Sequence, residues 1–392
     1  MPDLRKTPLH PAHIAAHGKL VAFAGYELPV QYTSMLAEHR AVRERAGLFD
    51  VSHLGKIDVG GPGALEALQG LVTNDLSRAA DGQAMYTAIC TEAGGIVDDV
   101  VVYRRSVTDF LVCVNASNRE KDVAWFEDHL EHAEQRDASD DYAQLALQGP
   151  RAAAILAKLT PLDLTKIGTY RFESGEVAGR KMLVARTGYT GEDGFELFCR
   201  PEEAVPLWNA LLEAGQLEGL MPAGLGARDS LRTEMKYCLY GNDIDETTNP
   251  LEAGIGWAVK LDKPGGFIGA EALRVFEKEP WRLYRKLVGF KLEERAIPRH
   301  GNPVVVMDYD SRTWNPSRRP EACVQDATVT SGTLSPTLDV PIGMAYVPDN
   351  FSAPGTGTRD PNDRYVSVSV VIRGREVPAV IVETPFYKRK RT

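Results

Sequence analysis

Gly94-Gly95-Ile96-Val97-Asp98-Asp99-Val100-Val101-Val102-Tyr103-Arg104 is the stretch around which the fold is organised. Two glycines, which allow backbone conformations closed to other residues, precede an Ile/Val run typical of a buried strand. Because neighbouring side chains on a strand point to opposite faces, at most one of Asp98 and Asp99 is expected to face any one cavity. A carboxylate at this place lies either in a solvated turn, the commoner arrangement, or in a functional site.

The regions on both sides of this strand predict a compact α+β unit. Strand-like runs at residues 85–90, 96–104 and 110–115 have the short spacing of an antiparallel meander. Ser117 and Glu120 form a capping-box pattern, which predicts that a helix begins there. A second helix is expected at residues 34–46, with Ser34 as its N-cap.

Beyond residue 142 the sequence again predicts mixed helix and strand. Three glycines in 187–196 indicate a tight turn, and a hairpin with solvated acids is the simplest interpretation. Residues 240–246 are too acidic to be core and predict a loop. After about residue 280 short β-type runs predict a small barrel or sandwich, with exposed loop insertions at 308–326 and 355–364.

Length and composition indicate a soluble protein with two or three domains. The 392 residues carry a net charge of −9, which argues against a nucleic-acid binder that works by general electrostatic attraction. The five cysteines lack metal-ligand spacing and predict reduced, buried thiols. With no signal-like start and no apolar run of membrane-spanning length, the sequence predicts a cytoplasmic protein without a membrane partner.

Several further motifs, in this order along nearly the whole chain, resemble the T-protein family of the glycine cleavage system, the aminomethyltransferases. Each motif is weak alone, but their number and order make chance a poor explanation. They are Phe23-Ala24-Gly25-Tyr26, Gly47-Leu48-Phe49-Asp50-Val51-Ser52-His53, the Gly94–Asp99 stretch, Val114-Asn115-Ala116 with Glu120-Lys121-Asp122, Gly188-Tyr189-Thr190-Gly191-Glu192, Ala227-Arg228-Asp229-Ser230-Leu231-Arg232, Tyr240-Gly241-Asn242-Asp243-Ile244-Asp245-Glu246 and Thr330-Ser331-Gly332-Thr333.

The resemblance implies a three-domain α+β protein arranged like a cloverleaf around a central folate cavity. Residues 1–50 and 140–280 would form a discontinuous folate-binding domain, 51–139 a second α+β domain with the catalytic Asp, and 281–392 a C-terminal β-barrel or jelly-roll-like domain. The protein would be a monomer, and the H-protein would present to it an aminomethyl group bound to the H-protein's lipoyl arm. It would transfer the carbon to tetrahydrofolate, without a metal.

Carried over position by position, the resemblance implies a set of site residues. The catalytic acid would be Asp98, favoured here for electrostatic stabilisation and positioning, although a role as base stays open. Glu196 would accept the guanidine-like edge of the pterin, as one carboxylate can do in bidentate fashion. The other folate-binding positions would be Arg228, Tyr86, Asn115 and Tyr189, with Arg389 or Arg391 contacting the anionic folate tail.

Two other function classes stay open at this stage. One is a folate-dependent enzyme that takes a methyl group from a small sulfonium, amine or aryl ether without a carrier protein. The other is a non-catalytic folate-binding factor, whose Lys-Gly-Cys-Tyr signature is absent here. Two departures from the family are Leu54, where Met is usual, and a long insertion at 308–326.

Overall fold

The computed structural model describes residues 4–309, 327–357 and 365–389. The chain forms two compact units: the first contains Met1–Leu231 and Ala258–Ala270, and the second contains Arg232–Trp257 and Glu271–Thr392. The α-helices of the described residues are α1 (His10–Ala15), α2 (Met35–Glu44), α3 (Ala64–Leu71), α4 (Arg119–His129), α5 (Ala152–Leu156), α6 (Ala204–Gly215), α7 (Leu225–Glu234) and α8 (Ala270–Lys278). Among the described residues, no helix is long and apolar enough to span a membrane.

The strands of the first unit form two sheets and a hairpin. They are β1 (Lys19–Phe23), β2 (Tyr26–Gln31), β3 (Ala46–Asp50), β4 (Gly55–Gly60), β5 (Gln83–Cys90), β6 (Ile96–Ser106), β7 (Asp109–Val114), β8 (Glu134–Asp137), β9 (Ala143–Gln148), β10 (Phe172–Val177), β11 (Arg180–Ala185), β12 (Gly194–Cys199) and β13 (Leu220–Pro222). One sheet has the order β5-β6-β7-β4-β8 and the other β10-β11-β12-β9-β3-β13. The predicted meander over β5, β6 and β7 is confirmed.

Each sheet packs one face against helices. In the six-stranded sheet, Leu147 and Phe195 pack with Ile155 of α5 and Trp208 of α6, all essentially inaccessible to solvent. In the five-stranded sheet, Val100, Val102 and Val112 pack with residues of α3 and α4, among them Leu68 and Phe126.

Strand β6 carries the adjacent acids Asp98 and Asp99 and also contributes to the core between the two sheets. Its residue Tyr103 packs in a cluster with Phe172 and Phe198 of the six-stranded sheet. The rings lie edge-on, with centroids 5.6 Å and 5.2 Å from that of Tyr103. The same strand carries Asp98 and Asp99 near its start. The register of β6 therefore sets where the acidic pair lies relative to the six-stranded sheet.

The second unit contains a single antiparallel sheet in its described residues. Its strands are β14 (Arg285–Leu292), β15 (Val304–Tyr309), β16 (Val329–Ser335), β17 (Val340–Pro348), β18 (Tyr365–Ile372) and β19 (Arg375–Val382), in the order β15-β18-β19-β14-β17-β16. The two edge strands approach each other at a bridge between Pro303 and Thr328, so the sheet curls back toward itself. The expectation of a C-terminal β domain of barrel type is confirmed.

Several local predictions are confirmed and others are wrong. Ser34 caps α2, since its hydroxyl accepts the Ala37 N–H at 3.2 Å. The capping box at Ser117 is wrong: α4 begins at Arg119, preceded by Asn118, and has no side-chain cap. The described cysteines are free and buried, and Cys323 lies outside the described residues.

One acidic residue of the predicted loop at 240–246 is in fact core. Asp243 is 1% exposed. It accepts hydrogen bonds from the Arg232 guanidinium at 2.6 Å and from the Thr330 hydroxyl at 2.5 Å, both within the second unit. An ion pair with hydrogen bonds offsets the cost of burying this carboxylate, which composition alone could not reveal.

Candidate functional site

The acidic pair at the start of β6 lies at an irregular point of the sheet. Ile89 pairs with Asp98, and the next residue, Cys90, pairs with Ile96, so Val97 is the extra residue of a bulge. Asp98 is completely buried, whereas Asp99 is partly exposed. The two carboxyl groups therefore differ in access to a ligand even though they are adjacent in sequence.

Asn115, just after the end of β7, holds both members of the pair. Its backbone N–H donates to Asp98 at 3.0 Å, and its side-chain amide donates to the Asp98 and Asp99 carboxylates at 2.8 Å each. Asn118 adds a further amide donor to Asp98 at 2.6 Å. Asn115 lies past the strand end and therefore reaches both acids, although their side chains differ in exposure; that at most one of them faces a given cavity stays a prediction.

Tyr86 of β5 contacts the more accessible member of the pair. Its hydroxyl donates to Asp99 at 3.0 Å. Burial and the nearby charge of Asp98 raise the pKa of Asp99 to about 7, against the opposing effect of hydrogen bonds from Tyr86 and Asn115. Asp99 is therefore a carboxyl that changes charge near neutral pH, which is a property of groups that exchange protons with a substrate.

Glu196 of β12 is the second predicted acid, and it is 8% exposed. Gln144 of β9 donates its amide to Glu196 at 3.0 Å, and the Thr187 hydroxyl donates at 2.5 Å. The Tyr103 hydroxyl lies 3.5 Å from the same carboxylate. Burial and the Glu196 charge raise the pKa of Tyr103 well above its usual value. The partners of Glu196 are thus neutral donors, which fix its orientation without neutralising it.

The glycine-containing loop before Glu196 is held by two arginines, one distant in sequence and one local. Arg43 of α2 donates to the Thr190 carbonyl at 2.7 Å and pairs with Glu192 at 2.9 Å. Arg186 makes two hydrogen bonds with Asp193, at 2.8 Å and 2.6 Å. The expected hairpin is confirmed, because β11 and β12 pair in antiparallel fashion on either side of the loop. Both acids are paired with arginines, so the expectation that they are solvated is wrong.

Arg228 and Tyr189, two predicted folate-binding residues, lie against each other. The guanidinium carbon of Arg228 is 4.6 Å from the centre of the Tyr189 ring, the geometry of a cation–π contact. Burial and the Arg228 charge lower the pKa of His53 to about 3, so this imidazole is neutral. The buried Nδ1 of His53 has no hydrogen-bond partner among the described residues.

The structure groups the predicted residues unevenly. Asp98, Asn115 and Tyr86 form one hydrogen-bonded network. Arg228 and Tyr189 form a second contact, and Glu196 has its own set of donors. Arg389 is exposed in the second unit, and Arg391 lies outside the described residues. In the described part of the chain, no group of three or more His, Cys, Asp or Glu side chains is arranged to hold a metal ion.

Sequence reasoning missed several members of these networks. They are Asp99, Asn118, Asp122, Gln144 and Thr187. A usable signal existed for two of them, because Asn118 and Asp122 are four residues apart and so share one face of a helix. Gln144 and Thr187 lie 52 and 9 residues from Glu196 in sequence, and nothing local marks them as its partners.

Comparison with known proteins covers almost the entire chain. The GCVT N-terminal domain family matches residues 9–263, and the glycine cleavage T-protein C-terminal barrel domain family matches residues 285–388. An aminomethyltransferase of Halothermothrix orenii is 48% identical over 98% of this chain and 100% of its own length. One of Rubrobacter xylanophilus is 50% identical, over 99% of this chain and 95% of its own.

A solved structure gives the same result for the fold. The crystal structure of glycine cleavage system aminomethyltransferase T from Bartonella henselae aligns with a TM-score of 0.85 and 32% identity, covering 99% of each chain. The two domain families, the full-length relatives and this structural match agree with one another. The chain therefore belongs to the aminomethyltransferases of the glycine cleavage T-protein family.

Proposed function

We propose that this aminomethyltransferase moves a one-carbon unit from the aminomethyl-lipoyl arm of the H-protein to tetrahydrofolate. The products are methylene-tetrahydrofolate, ammonia and the dihydrolipoyl H-protein. The observation that carries the proposal is the partly exposed Asp99, held by Tyr86 and Asn115 beside the buried Asp98. A cytoplasmic location, a monomeric state, the absence of a metal and the absence of nucleic-acid or membrane partners stay predictions, as does the three-domain division.

The reaction balances without an oxidant or a metal. Two C–N bonds form between the transferred carbon and two folate nitrogens, while the C–S bond to the lipoyl arm and the C–N bond to ammonia break. The two hydrogens lost from the folate nitrogens end on the lipoyl sulfur and on the departing ammonia. The transferred carbon becomes electron-poor as its bonds to sulfur and nitrogen break, so a nearby carboxylate lowers the barrier by electrostatic stabilisation.

Within the acidic pair, Asp99 suits the reacting position better than Asp98. Asp98 is fully buried and accepts hydrogen bonds from Asn115 and Asn118, which leaves it no access to a ligand. Asp99 is partly exposed, and its pKa of about 7 lets it hold a proton or release one at neutral pH. We therefore assign Asp99 the contact with the reacting carbon and Asp98 the task of fixing its charge and position.

The remaining predicted residues have the chemistry that a reduced folate requires. Glu196 is held by the neutral donors Gln144 and Thr187, which leaves carboxylate lone pairs for a pterin N–H edge. The Arg228 guanidinium, supported by the Tyr189 ring, offers a cation with a fixed plane to an anionic or aromatic part of the ligand. A bound folate would supply the two nucleophilic nitrogens, and these residues would orient it.

The experiment compares carrier-dependent transfer with the alternatives. Purified chain is given tetrahydrofolate with either aminomethylated H-protein or free methyl donors of the sulfonium, amine and aryl ether types. Methylene-tetrahydrofolate is expected only with the H-protein. Asp99→Asn should lower kcat by about 100-fold or more and leave folate affinity within about threefold. The exposed Asp128→Asn on α4 is the matched control. Equal turnover of a free methyl donor, or full activity of Asp99→Asn, would contradict the proposal.

A further inference from the structure

A third carboxyl group lies beside the acidic pair and has no role in the function described above. Asp122 is on α4, and its side chain is completely buried. Neither of its oxygens has an N–H or O–H donor among the described residues. Burial, the charge of Asp98 and a hydrogen bond with the Asp98 side chain raise the pKa of Asp122 to about 11. Asp122 and Asp98 are neighbouring buried carboxyl groups, since Asn118, one turn before Asp122, donates to Asp98 at 2.6 Å and Lys121 donates to the carbonyl of Val97, the residue before Asp98.

Two carboxylates can form a hydrogen bond only if one of them carries a proton. Asp98 accepts three N–H bonds, from the Asn115 backbone, the Asn115 amide and the Asn118 amide, and these stabilise its ionised form. Asp122 receives none, so nothing compensates the cost of a charge there. The donor sets place the proton on Asp122 and the negative charge on Asp98.

The other charged groups nearby do not change this assignment. Lys121 of the same helix donates to the Val97 carbonyl at 2.6 Å, and its charge favours ionised Asp122 less strongly than burial and Asp98 oppose it. Arg119, one turn earlier, is bound to Asp137 and Asp140, each at 2.9 Å. The negative charge of ionised Asp99 on β6 raises the pKa of Asp122 further.

We propose that Asp122 is a positioning residue that stays neutral and donates its carboxyl hydrogen to Asp98, which keeps one charge and one orientation beside Asp99. Its influence on catalysis rests on the proposed function, because it acts through the acidic pair. Its charge state does not, because that is a property of the ligand-free protein. The two parts can therefore be tested separately.

The charge state is tested by ¹³C NMR titration of aspartate carboxyl carbons in the ligand-free chain. The chemical shift of the Asp122 carboxyl carbon is expected to show a protonated carboxyl group through neutral pH. Asp122→Asn should leave the Asp99 midpoint unchanged, because no charge is removed, whereas Asp98→Asn should lower it. The control Asp128→Asn should change neither. The proposal would be overturned if the Asp122 carboxyl group ionised with an ordinary acidic midpoint. It would also be overturned if Asp122→Asn and Asp98→Asn lowered the Asp99 midpoint equally.

The positioning role is tested by comparing two substitutions of nearly equal size. Asp122→Asn keeps a hydrogen-bond donor for Asp98, whereas Asp122→Leu removes it. The kcat for transfer is expected to be about tenfold to a hundredfold lower in Asp122→Leu than in Asp122→Asn, with the KM for folate within about twofold. Equal kcat values in the two variants would overturn the role. If the wild type itself shows no carrier-dependent transfer, the proposed function fails and the titration still decides the charge state.

Discussion

Asp98 and Asp99 accept hydrogen bonds from the same side-chain amide of Asn115, each at 2.8 Å, although they are neighbours on one strand. The shared amide keeps the two carboxyl groups close enough to influence each other electrically. Because Asp98 is buried, its charge is weakly screened, and it contributes to the raised pKa of Asp99. The protonation of Asp99 therefore depends on its neighbour Asp98.

The pH dependence of transfer should report this coupling. We expect kcat/KM to rise with pH as Asp99 loses its proton, with a midpoint near its pKa of about 7. Asp98→Asn removes the neighbouring charge, so the midpoint should move to lower pH even if the maximal rate falls. The measurement is a full pH–rate profile of both proteins. An unchanged midpoint in Asp98→Asn would show that a group other than the acidic pair controls the rise of kcat/KM with pH.

Replacement of Glu196 should affect folate binding more than chemistry. Glu196→Gln removes the negative charge and presents an amide to the Gln144 and Thr187 donors, so a pterin N–H edge loses its acceptor. We expect about tenfold to a hundredfold weaker binding of tetrahydrofolate by calorimetry. Glu173→Gln, an exposed position on β10, is the control and should bind normally. Normal affinity in Glu196→Gln would remove Glu196 from the site.

Arg228 and Tyr189 are expected to act as one unit in binding. Arg228→Lys keeps the charge but loses the planar group that lies over the Tyr189 ring, and Tyr189→Leu removes the ring itself. Each change should weaken folate binding by about three- to tenfold. The double variant should be little worse than either single one, because both remove the same contact. The control Arg171→Lys, at an exposed position, should bind folate normally. Fully additive losses of affinity in the double variant would show that Arg228 and Tyr189 act independently.

Asp50 is expected to stabilise the first unit in a pH-dependent way. Burial alone would raise the pKa of Asp50, but hydrogen bonds from His13, Ser52 and Thr7, with the His13 charge, lower it to about 2. Since the folded-state pKa is depressed, the contribution is complete above about pH 4 and is lost as the pH falls through about 2. At neutral pH the free energy of unfolding of Asp50→Asn should be about 2 kcal/mol lower than that of the wild type.

Chemical denaturation of the Asp50 variant at several pH values provides the measurement. The difference in the free energy of unfolding between wild type and Asp50→Asn should shrink as the pH is lowered toward 2. Asp128→Asn, whose side chain is exposed, should show no such trend. A difference that stays constant over the whole range would mean that the Asp50 contacts do not depend on its charge.

Lys263 should be important for stability rather than for catalysis. Its buried ammonium group donates to the carbonyls of Gln69 at 2.6 Å and Asn74 at 2.9 Å, and also to the Val72 carbonyl, at the C-terminal end of α3. The last carbonyls of a helix carry partial negative charge and favour the protonated amine, whereas burial lowers the pKa of Lys263 to about 7. Lys263→Met would leave these carbonyls without their donor and cost about 1–3 kcal/mol.

Urea denaturation checks the Lys263 prediction against a surface lysine. Lys181→Met on β11, an exposed position, is the matched control and should change the unfolding free energy by less than about 0.5 kcal/mol. Equal midpoints for Lys263→Met and Lys181→Met would mean that water satisfies the three carbonyls.

Much of the architecture followed from local patterns in the sequence. The three strand-like runs of β5, β6 and β7 predicted an antiparallel meander because only short links separate them. Ser34 predicted the start of α2 because its hydroxyl satisfies an N–H three residues later. The change to short strands after about residue 280 predicted the C-terminal sheet. Each of these signals involves residues that are close in sequence.

The tertiary structure alone decided which carboxyl groups are charged, buried or accessible. Asn115 lies 16 and 17 residues from the acids that it joins, and Thr330 lies 87 residues from the buried Asp243. Asn118 donates to Asp98, whereas the sequence pattern predicted a helix cap at Ser117. Sequence patterns record periodicity and local hydrogen bonds. The charge state of a carboxyl group depends on its donors and its burial, which distant segments supply only when the chain has folded.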